Sequence, residues 1–130
     1  MMLNHSYNPS PTIRGEASSD IAAPAMLAVK FDANGKFALP GAGEFCIGIV
    51  LADTDAVRGG ETLNVQIKDG AYWIAGGAFK RGAMLAADAT GKAVAAVAGD
   101  NVVAVALGDG ASGKPVEVII CHTSIPQANA

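Results

Sequence analysis

The sequence predicts an all-β fold: a small β-sandwich or barrel-like domain built from two pseudo-symmetric half-repeats, with an extended N-terminal arm. Three observations support this. Apolar residues alternate with polar ones over short segments, glycine-rich turns separate these segments, and one phrase of the sequence occurs twice. At 130 residues, the chain is long enough for one domain with its own core.

The first segment, residues 1–20, differs from the rest. It contains Pro9 and Pro11, several Ser and Asn residues, and no apolar period. Such a composition predicts an extended, flexible arm without a core of its own. The β domain is then expected over residues 21–122, with a C-terminal tail over residues 123–130.

The repeated phrase comes next. "PAMLAVKFDANGKFALPGAGEFCIGIVLAD" begins at residue 24, and "GAMLAADATGKAVAAVAGDNVVAVALGD" begins at residue 82. The first phrase lies in a half-repeat over about residues 21–68 and the second in one over about residues 79–121, each marginal as an independent fold. Two such halves should share one core. The aligned positions are Ala25-Met26-Leu27 with Ala83-Met84-Leu85, Asp32 with Asp88, Gly35 with Gly91, Lys36 with Lys92, Ile49 with Val105 and Val65 with Val118.

Individual strands follow from the alternation. In "ETLNVQIKDG", Leu63, Val65 and Ile67 are predicted to point inward, with the polar residues between them outward. The segments "GEFCIGIVLAD", "AYWIAGG" and "KPVEVIICH" have the same β character. The segment "RGAMLAADA" also fits a short helix, but its copy is rich in β-branched and aromatic residues, which favours an extended conformation in both.

Composition narrows the function. Hydrophobic residues make up 51% of the chain but aromatic residues only 5%, so the core suits closely packed sheets better than a deep ligand pocket. The net charge of −3 argues against a nucleic-acid partner. No apolar run approaches the roughly 20 residues of a membrane span, and the N-terminal residues do not resemble a secretory signal. Cys46 and Cys121 are expected to be buried free thiols in a reducing compartment.

The motifs that suggest chemistry fail on inspection. "GDGASGKP" lacks the Ser or Thr of a phosphate-binding loop and leads into a strand, so a hairpin turn explains it better. "GAGEFC" lacks the third glycine of a dinucleotide fingerprint, and "DANGK" has too few acidic ligands for calcium. Cys121 and His122 are adjacent in a strand and point to opposite faces. The sequence therefore predicts no enzyme, with no catalytic, cofactor-binding or metal site.

The pattern of an "AML" entry, a D-x-x-G-K turn and an "IGIVLAD"-type strand resembles the small β-rich decoration proteins of tailed-bacteriophage heads, also called cement or head-stabilising proteins. The run "FKRGAMLAADATGKAVAA" followed by "VVAVALGDG" is typical of them. The resemblance covers roughly residues 21–121. It implies a virion protein without an active site, made in the host bacterial cytoplasm, that binds the outer surface of the expanded capsid and stabilises the lattice between capsomers.

The resemblance also implies partners: the major capsid protein and copies of the same chain, as a homotrimer, with no direct nucleic-acid or membrane contact. The arm would reach onto the capsid and add a strand to an exposed sheet edge; a tail with no role is the alternative. Trimer formation would require apolar patches on the surface of the monomer. The alternative is that the candidate residues lie in the core. The arm residues assigned to capsid binding are Tyr7, Pro9, Pro11, Thr12, Ile13 and Arg14. The subunit-interface candidates are Phe31, Phe37, Tyr72, Trp73 and Phe79.

Two other functions remain open from sequence. A phage head fibre or a receptor- or glycan-binding β module would need exposed aromatic residues, for which Tyr72 and Trp73 are the only adjacent pair. A biotinyl or lipoyl carrier would need a lysine flanked by Met in a hairpin, whereas Lys36 and Lys92 follow glycines.

Overall fold

The computed structural model describes residues 11–126, which form strands and turns and no helix. The predicted all-β class is confirmed. No helix in this part of the chain is long and apolar enough to cross a membrane. The strands are β1 (Thr12–Glu16), β2 (Ala28–Phe31), β3 (Phe37–Ala38), β4 (Gly48–Val50), β5 (Thr62–Gln66), β6 (Asp69–Ile74), β7 (Met84–Ala87), β8 (Ala93–Ala95), β9 (Asn101–Ala106) and β10 (Pro115–Ser124).

The strands form two five-stranded sheets with the same topology, β1-β5-β4-β2-β3 and β6-β10-β9-β7-β8. We call β1–β5 the first half and β6–β10 the second half. All pairings between named strands are antiparallel, and their registers correspond. Ala28 pairs with Ile49 in the first half as Met84 pairs with Val105 in the second. The duplication seen in the sequence is therefore a duplication of structure.

Each sheet curls until its two ends meet. Beyond β1, Ala17 forms an isolated parallel bridge with Phe37 of β3. Beyond β6, Ala75 forms the corresponding bridge with Ala93 of β8. Each half is thus a small, nearly closed barrel, which accounts for the barrel-like character predicted from the many short strands.

The two D-x-x-G-K turns have the same hydrogen bonds. The Oδ1 atom of Asp32 accepts from the N–H groups of Asn34 (2.8 Å) and Lys36 (2.9 Å). In the second half, Oδ1 of Asp88 accepts from the N–H groups of Thr90 and Lys92, both at 2.9 Å. A carboxylate that bonds its own backbone two residues on stabilises such turns.

The structure corrects the alignment of the two "AML" segments. The N–H of Val50 donates to the carbonyl of Leu27, and the N–H of Ala106 donates to that of Ala83. Leu27 therefore corresponds to Ala83, and not to Leu85 as the matching letters suggest. The reason is a loop of different length: Ala22 and Ala23 separate Ile21 from Pro24, whereas the equivalent residues Phe79 and Lys80 are adjacent.

The structure also corrects the boundary of the N-terminal arm. Residues 12–16 form β1, which pairs with β5 along its whole length. The following residues Ala17 and Ile21 are buried in the core of the first half. The predicted arm therefore overlaps the domain, because a strand paired along its length needs little apolar content to be held in place.

The core forms two clusters. One lies inside the first barrel and contains Val29, Phe37, Val50, Leu63 and Val65. Leu63 and Val65 are fully buried and Ile67 is half-buried, as the alternation predicts. The other cluster fills the second barrel, around Trp73 and Leu85, and extends across the junction between the halves to three residues of the first half: Ala28, Cys46 and Ile49.

Candidate functional site

Among residues 11–126, no polar or charged side chain is buried. Within residues 11–126, no group of three or more His, Cys, Asp or Glu side chains is arranged to hold a metal ion. The "GDGASGKP" segment is the connection from β9 to β10, with a turn closed by the N–H of Lys114 on the carbonyl of Ala111. The carboxylate of the "DANGK" turn accepts bonds from its own backbone.

The two cysteines are free thiols. Cys46 is fully buried, and burial, reinforced by the nearby Glu44 carboxylate, raises its pKa to about 12. Cys121 is half-buried, and burial raises its pKa as well. Raised pKa values keep both sulfurs protonated near neutral pH, the opposite of what a nucleophilic cysteine requires. Beside Cys121, the ring of His122 contacts that of Phe45 at 5.5 Å between centroids.

The structure divides the five subunit-interface candidates. Phe37 and Trp73 are 0% exposed and Phe79 is 8% exposed, so these three side chains belong to the core. Phe31 and Tyr72 are on the surface, at 46% and 55% exposure. Phe31 stacks on Phe37 with 5.1 Å between ring centroids.

Trp73 is anchored inside the second barrel. Its Nε1–H donates to the carbonyl oxygen of Gly91 at 2.8 Å. The same oxygen accepts the N–H of Ala28 at 2.8 Å. Trp73 therefore cannot form an exposed aromatic platform with Tyr72, and the residue pair that a glycan-binding function would use is reduced to Tyr72 alone.

The arm residues assigned to capsid binding fall into two groups. Tyr7 and Pro9 lie outside the described residues. Pro11 is exposed next to β1. Thr12, Ile13 and Arg14 are strand residues of β1, paired with Gln66, Val65 and Asn64 of β5. These three residues already belong to the domain's own sheet, so they do not form a free strand that could be added to another protein.

Two shallow grooves stand out on the surface of residues 11–126. A groove of about 420 Å³ lies where the halves join, between the end of β4 and the start of β6, and Asp53, Tyr72 and Glu117 contribute to its walls. A second groove, of about 440 Å³, is lined by Lys30, Phe31, Glu44, Phe45 and Asn101. Both are open. In the second groove the polar groups are paired with the chain itself: Lys30 with Glu44 at 2.8 Å, and the Asn101 amide with the carbonyl of Gly43 at 3.2 Å.

Several exposed apolar side chains were missed by the sequence analysis. Phe45, Met84 and Ile119 are 51%, 47% and 44% exposed. The alternation in "KPVEVIICH" places Ile119 on the same face as the exposed Glu117. The outward position of Ile119 could therefore be predicted from the sequence. For Met84 no such signal existed, because its equivalent in the first half, Ala28, is fully buried.

Comparison with solved structures finds a likeness that covers most of the chain. The chain is similar in structure to the head fiber gp8.5 N base of bacteriophage phi29, with a TM-score of 0.66 and 19% sequence identity. The similarity covers 88% of this chain and 96% of the fibre base. No protein-family model matches the sequence, and no curated protein matches it at a significant level. The two proteins therefore share a fold along nearly their whole lengths.

Proposed function

We propose that this chain is a structural protein of a tailed-bacteriophage head that binds the outer surface of the capsid. The observation that carries the proposal is the fold shared with a phage head fibre base over 88% of the chain. The repeat motifs support it independently, since they resemble those of head decoration proteins. The absence of buried charges and of a metal-ligand group within residues 11–126 is compatible with a structural role.

In this proposal the partner is the major capsid protein of the expanded shell. Many copies bound to the mature lattice would stabilise it by mass action, because a ligand that binds only one state shifts the equilibrium towards that state. The chain would act as a homotrimer that bridges neighbouring capsomers.

A second candidate, the base of a head fibre, is favoured by the same likeness, because the similar protein is itself such a base. Both candidates would bind the outside of the capsid, but they differ in their effect on the shell. A decoration protein that bridges neighbouring capsomers raises the resistance of the shell to disruption, whereas a fibre base held within one capsomer would anchor an appendage and add little to that resistance. A receptor- or glycan-binding role is less supported, since Trp73 is buried.

Co-sedimentation with undecorated compact and expanded shells of the phage that encodes the chain tests the proposal. Saturable binding to expanded shells is the expected result, and binding to neither form would refute the proposal. Heating the shells with and without bound protein then separates the two candidates: a higher disruption temperature identifies decoration, and an unchanged one identifies a fibre base.

The role of the arm needs a deletion that leaves the fold intact. Because β1 begins at Thr12 and its pairing is part of the first sheet, removal of residues 1–10 is the suitable variant. Removal of residues 127–130 is the matched control. Weaker shell binding by the first variant only would support a capsid-binding arm, and equal binding by both would assign capsid binding to the domain.

A further inference from the structure

The contact between the two halves uses different surfaces on each half. The N–H of Ala28 in the first half donates to the carbonyl of Gly91 in the second, at 2.8 Å. The N–H of Gly43 in the first half donates to the carbonyl of Ala87 in the second, also at 2.8 Å. The first half thus contributes the start of β2 and the segment that precedes β4. The second half contributes the β7–β8 turn and the end of β7.

The reciprocal contact is not formed. A two-fold arrangement would place Gly35 of the first half against Met84 of the second, since these correspond to Gly91 and Ala28. Instead, a Cβ atom at Gly35 would have no neighbour within 4 Å, and Met84 is 47% exposed whereas Ala28 is 0% exposed. The halves are therefore joined head to tail, and the side of the second half around Met84 and the Gly35 turn of the first half stay uncovered. The N–H of Gly99, which corresponds to that of Gly43, donates instead to the carbonyl of Ile125 in the same chain.

The open face of the second half carries an apolar row. Met84 of β7 pairs with Val105 of β9, which pairs with Ile119 of β10. We call these three residues the outer row. They correspond to Ala28, Ile49 and Gln66 of the first half, which pair in the same order. Ala28 and Ile49 are buried in the junction, at 0% and 1% exposure, whereas Met84 and Ile119 are 47% and 44% exposed.

The open face of the first half also carries an apolar group. Phe31 corresponds to Ala87, since Phe31 pairs with Phe37 as Ala87 pairs with Ala93. Ala87 is 1% exposed because the first half covers it, whereas Phe31 is 46% exposed. We call Phe31 and the neighbouring Gly35 turn the open end.

We propose that a second copy of this chain docks on these faces, with the outer row of one copy covering the open end of the next. The contact would continue the junction that already joins the halves within one chain. Exposed apolar side chains stand at both faces where the junction has buried ones, and this is typical of a surface with a protein partner. Such a head-to-tail contact is heterologous, so it builds a ring if the rotation closes and a filament if it does not.

Sedimentation velocity of the purified full-length chain over a range of concentrations tests this. Association is expected for the natural sequence. Met84→Lys blocks only the outer row, and Phe31→Lys blocks only the open end, so each variant alone should sediment as a monomer. Leu39→Lys is the matched control: Leu39 is 36% exposed, and its equivalent Ala95 is exposed in the second half despite the junction. Cooperative thermal unfolding of each variant confirms that it folds.

An equimolar mixture of Met84→Lys and Phe31→Lys provides the decisive measurement. The first variant keeps its open end and the second keeps its outer row, so one intact contact can form between them. The mixture should therefore contain dimers that neither variant forms alone. A monomeric natural chain, association that survives in either single variant, or a mixture that contains only monomers would overturn the proposal. Because no shell is present, these results do not depend on capsid binding.

Discussion

Gly15 faces the ring of Phe37 so closely, inside the first barrel, that a Cβ atom added to Gly15 would lie 2.8 Å from Cε2 of Phe37. Gly15 pairs with Leu63 as Trp73 pairs with Val116, so glycine in the first half stands where the second half has tryptophan. Phe37 corresponds in turn to Ala93. The fully buried aromatic ring of each barrel is therefore supplied by β3 in the first half and by β6 in the second.

Substitution of Gly15 by Ala should destabilise the protein by about 1–3 kcal/mol, because the added methyl group meets a fully buried ring. Gly77→Ala is the matched control, since a Cβ at Gly77 would meet nothing within 4 Å, and it should change stability by less than about 0.5 kcal/mol. Urea unfolding measures both. Equal stability of the two variants would show that Phe37 can move aside.

The two ring positions should be energetically coupled. Gly15→Trp alone overfills the first barrel, and Phe37→Ala alone leaves a cavity that costs about 3–5 kcal/mol. Together they reproduce the arrangement of the second half, in which the indole N–H bonds a turn carbonyl. A double-mutant cycle in urea should give a combined loss smaller than the sum of the single losses. Additive losses would mean that the two side chains do not share one space.

The fluorescence of Trp73 should change on unfolding and should not respond to added carbohydrate. It is the only tryptophan in the chain and is 0% exposed, so its fluorescence should be blue-shifted and resistant to iodide quenching in the folded protein. Unfolding in guanidinium should shift the emission to the red. Addition of host-surface glycans should leave the spectrum unchanged, and a glycan-dependent shift would revive the binding-module alternative.

Asp88 should contribute to stability in a pH-dependent way. Burial by itself would raise the pKa of Asp88, but hydrogen bonds from the Thr90 hydroxyl and from the N–H groups of Lys92 and Thr90 outweigh it and lower the pKa below 3.8. A lowered pKa in the folded state gives stability that is present above the unfolded pKa and lost as pH falls through the folded value. Acid titration of stability should therefore show a loss below about pH 4.

Asp88→Ala should lower stability near neutral pH by about 1 kcal/mol, a modest figure because the carboxylate is partly solvated. Asp88→Asn keeps an acceptor oxygen at the same place, so it should retain most of the turn but lose the pH dependence that belongs to this group. Urea unfolding at pH 7 and at pH 3 compares the three proteins. An unchanged acid profile in Asp88→Asn would assign that profile to other carboxylates.

Cys46 should destabilise the protein at alkaline pH. Its pKa is raised from 9.0 to about 12 by burial, so the unfolded chain ionises first and stability falls as pH rises above about 9. The expected loss is about 1 kcal/mol by pH 10. Cys46→Val, which introduces the residue of the equivalent position Val102, should remove this part of the loss. A profile identical to that of the natural chain would show that other groups cause it.

The sequence predicted the parts of the fold that depend on local pattern. Leu63 and Val65 point inward because strand alternation is a property of the segment itself. The two turns at Asp32 and Asp88 were recognised because their residue types fix their hydrogen bonds. Both features depend on neighbours within a few positions, and such features are the ones that a single sequence records.

The remaining features depend on contacts between distant residues. β1 and β6 correspond in register, but Ile13 and Arg14 share no residue type with Ala71 and Tyr72 of the second half, so the repeat was predicted to begin too late. Phe31 and Ala87 occupy equivalent positions, yet Phe31 is exposed and Ala87 is buried, because only Ala87 lies at the junction between the halves. The candidate docking faces follow from that difference and required the structure.

The curled sheets have a consequence for crowding. Edge strands with unpaired backbone groups can form hydrogen bonds with edge strands of other molecules and so cause aggregation. Proteins that are packed at high density therefore need protected edges. Here the bridges from Ala17 to Phe37 and from Ala75 to Ala93 bring the ends of each sheet together. Many copies held side by side on one particle would then meet through side chains and not through strands, and each copy would keep its own fold at a local concentration that promotes amyloid-like pairing in open sheets.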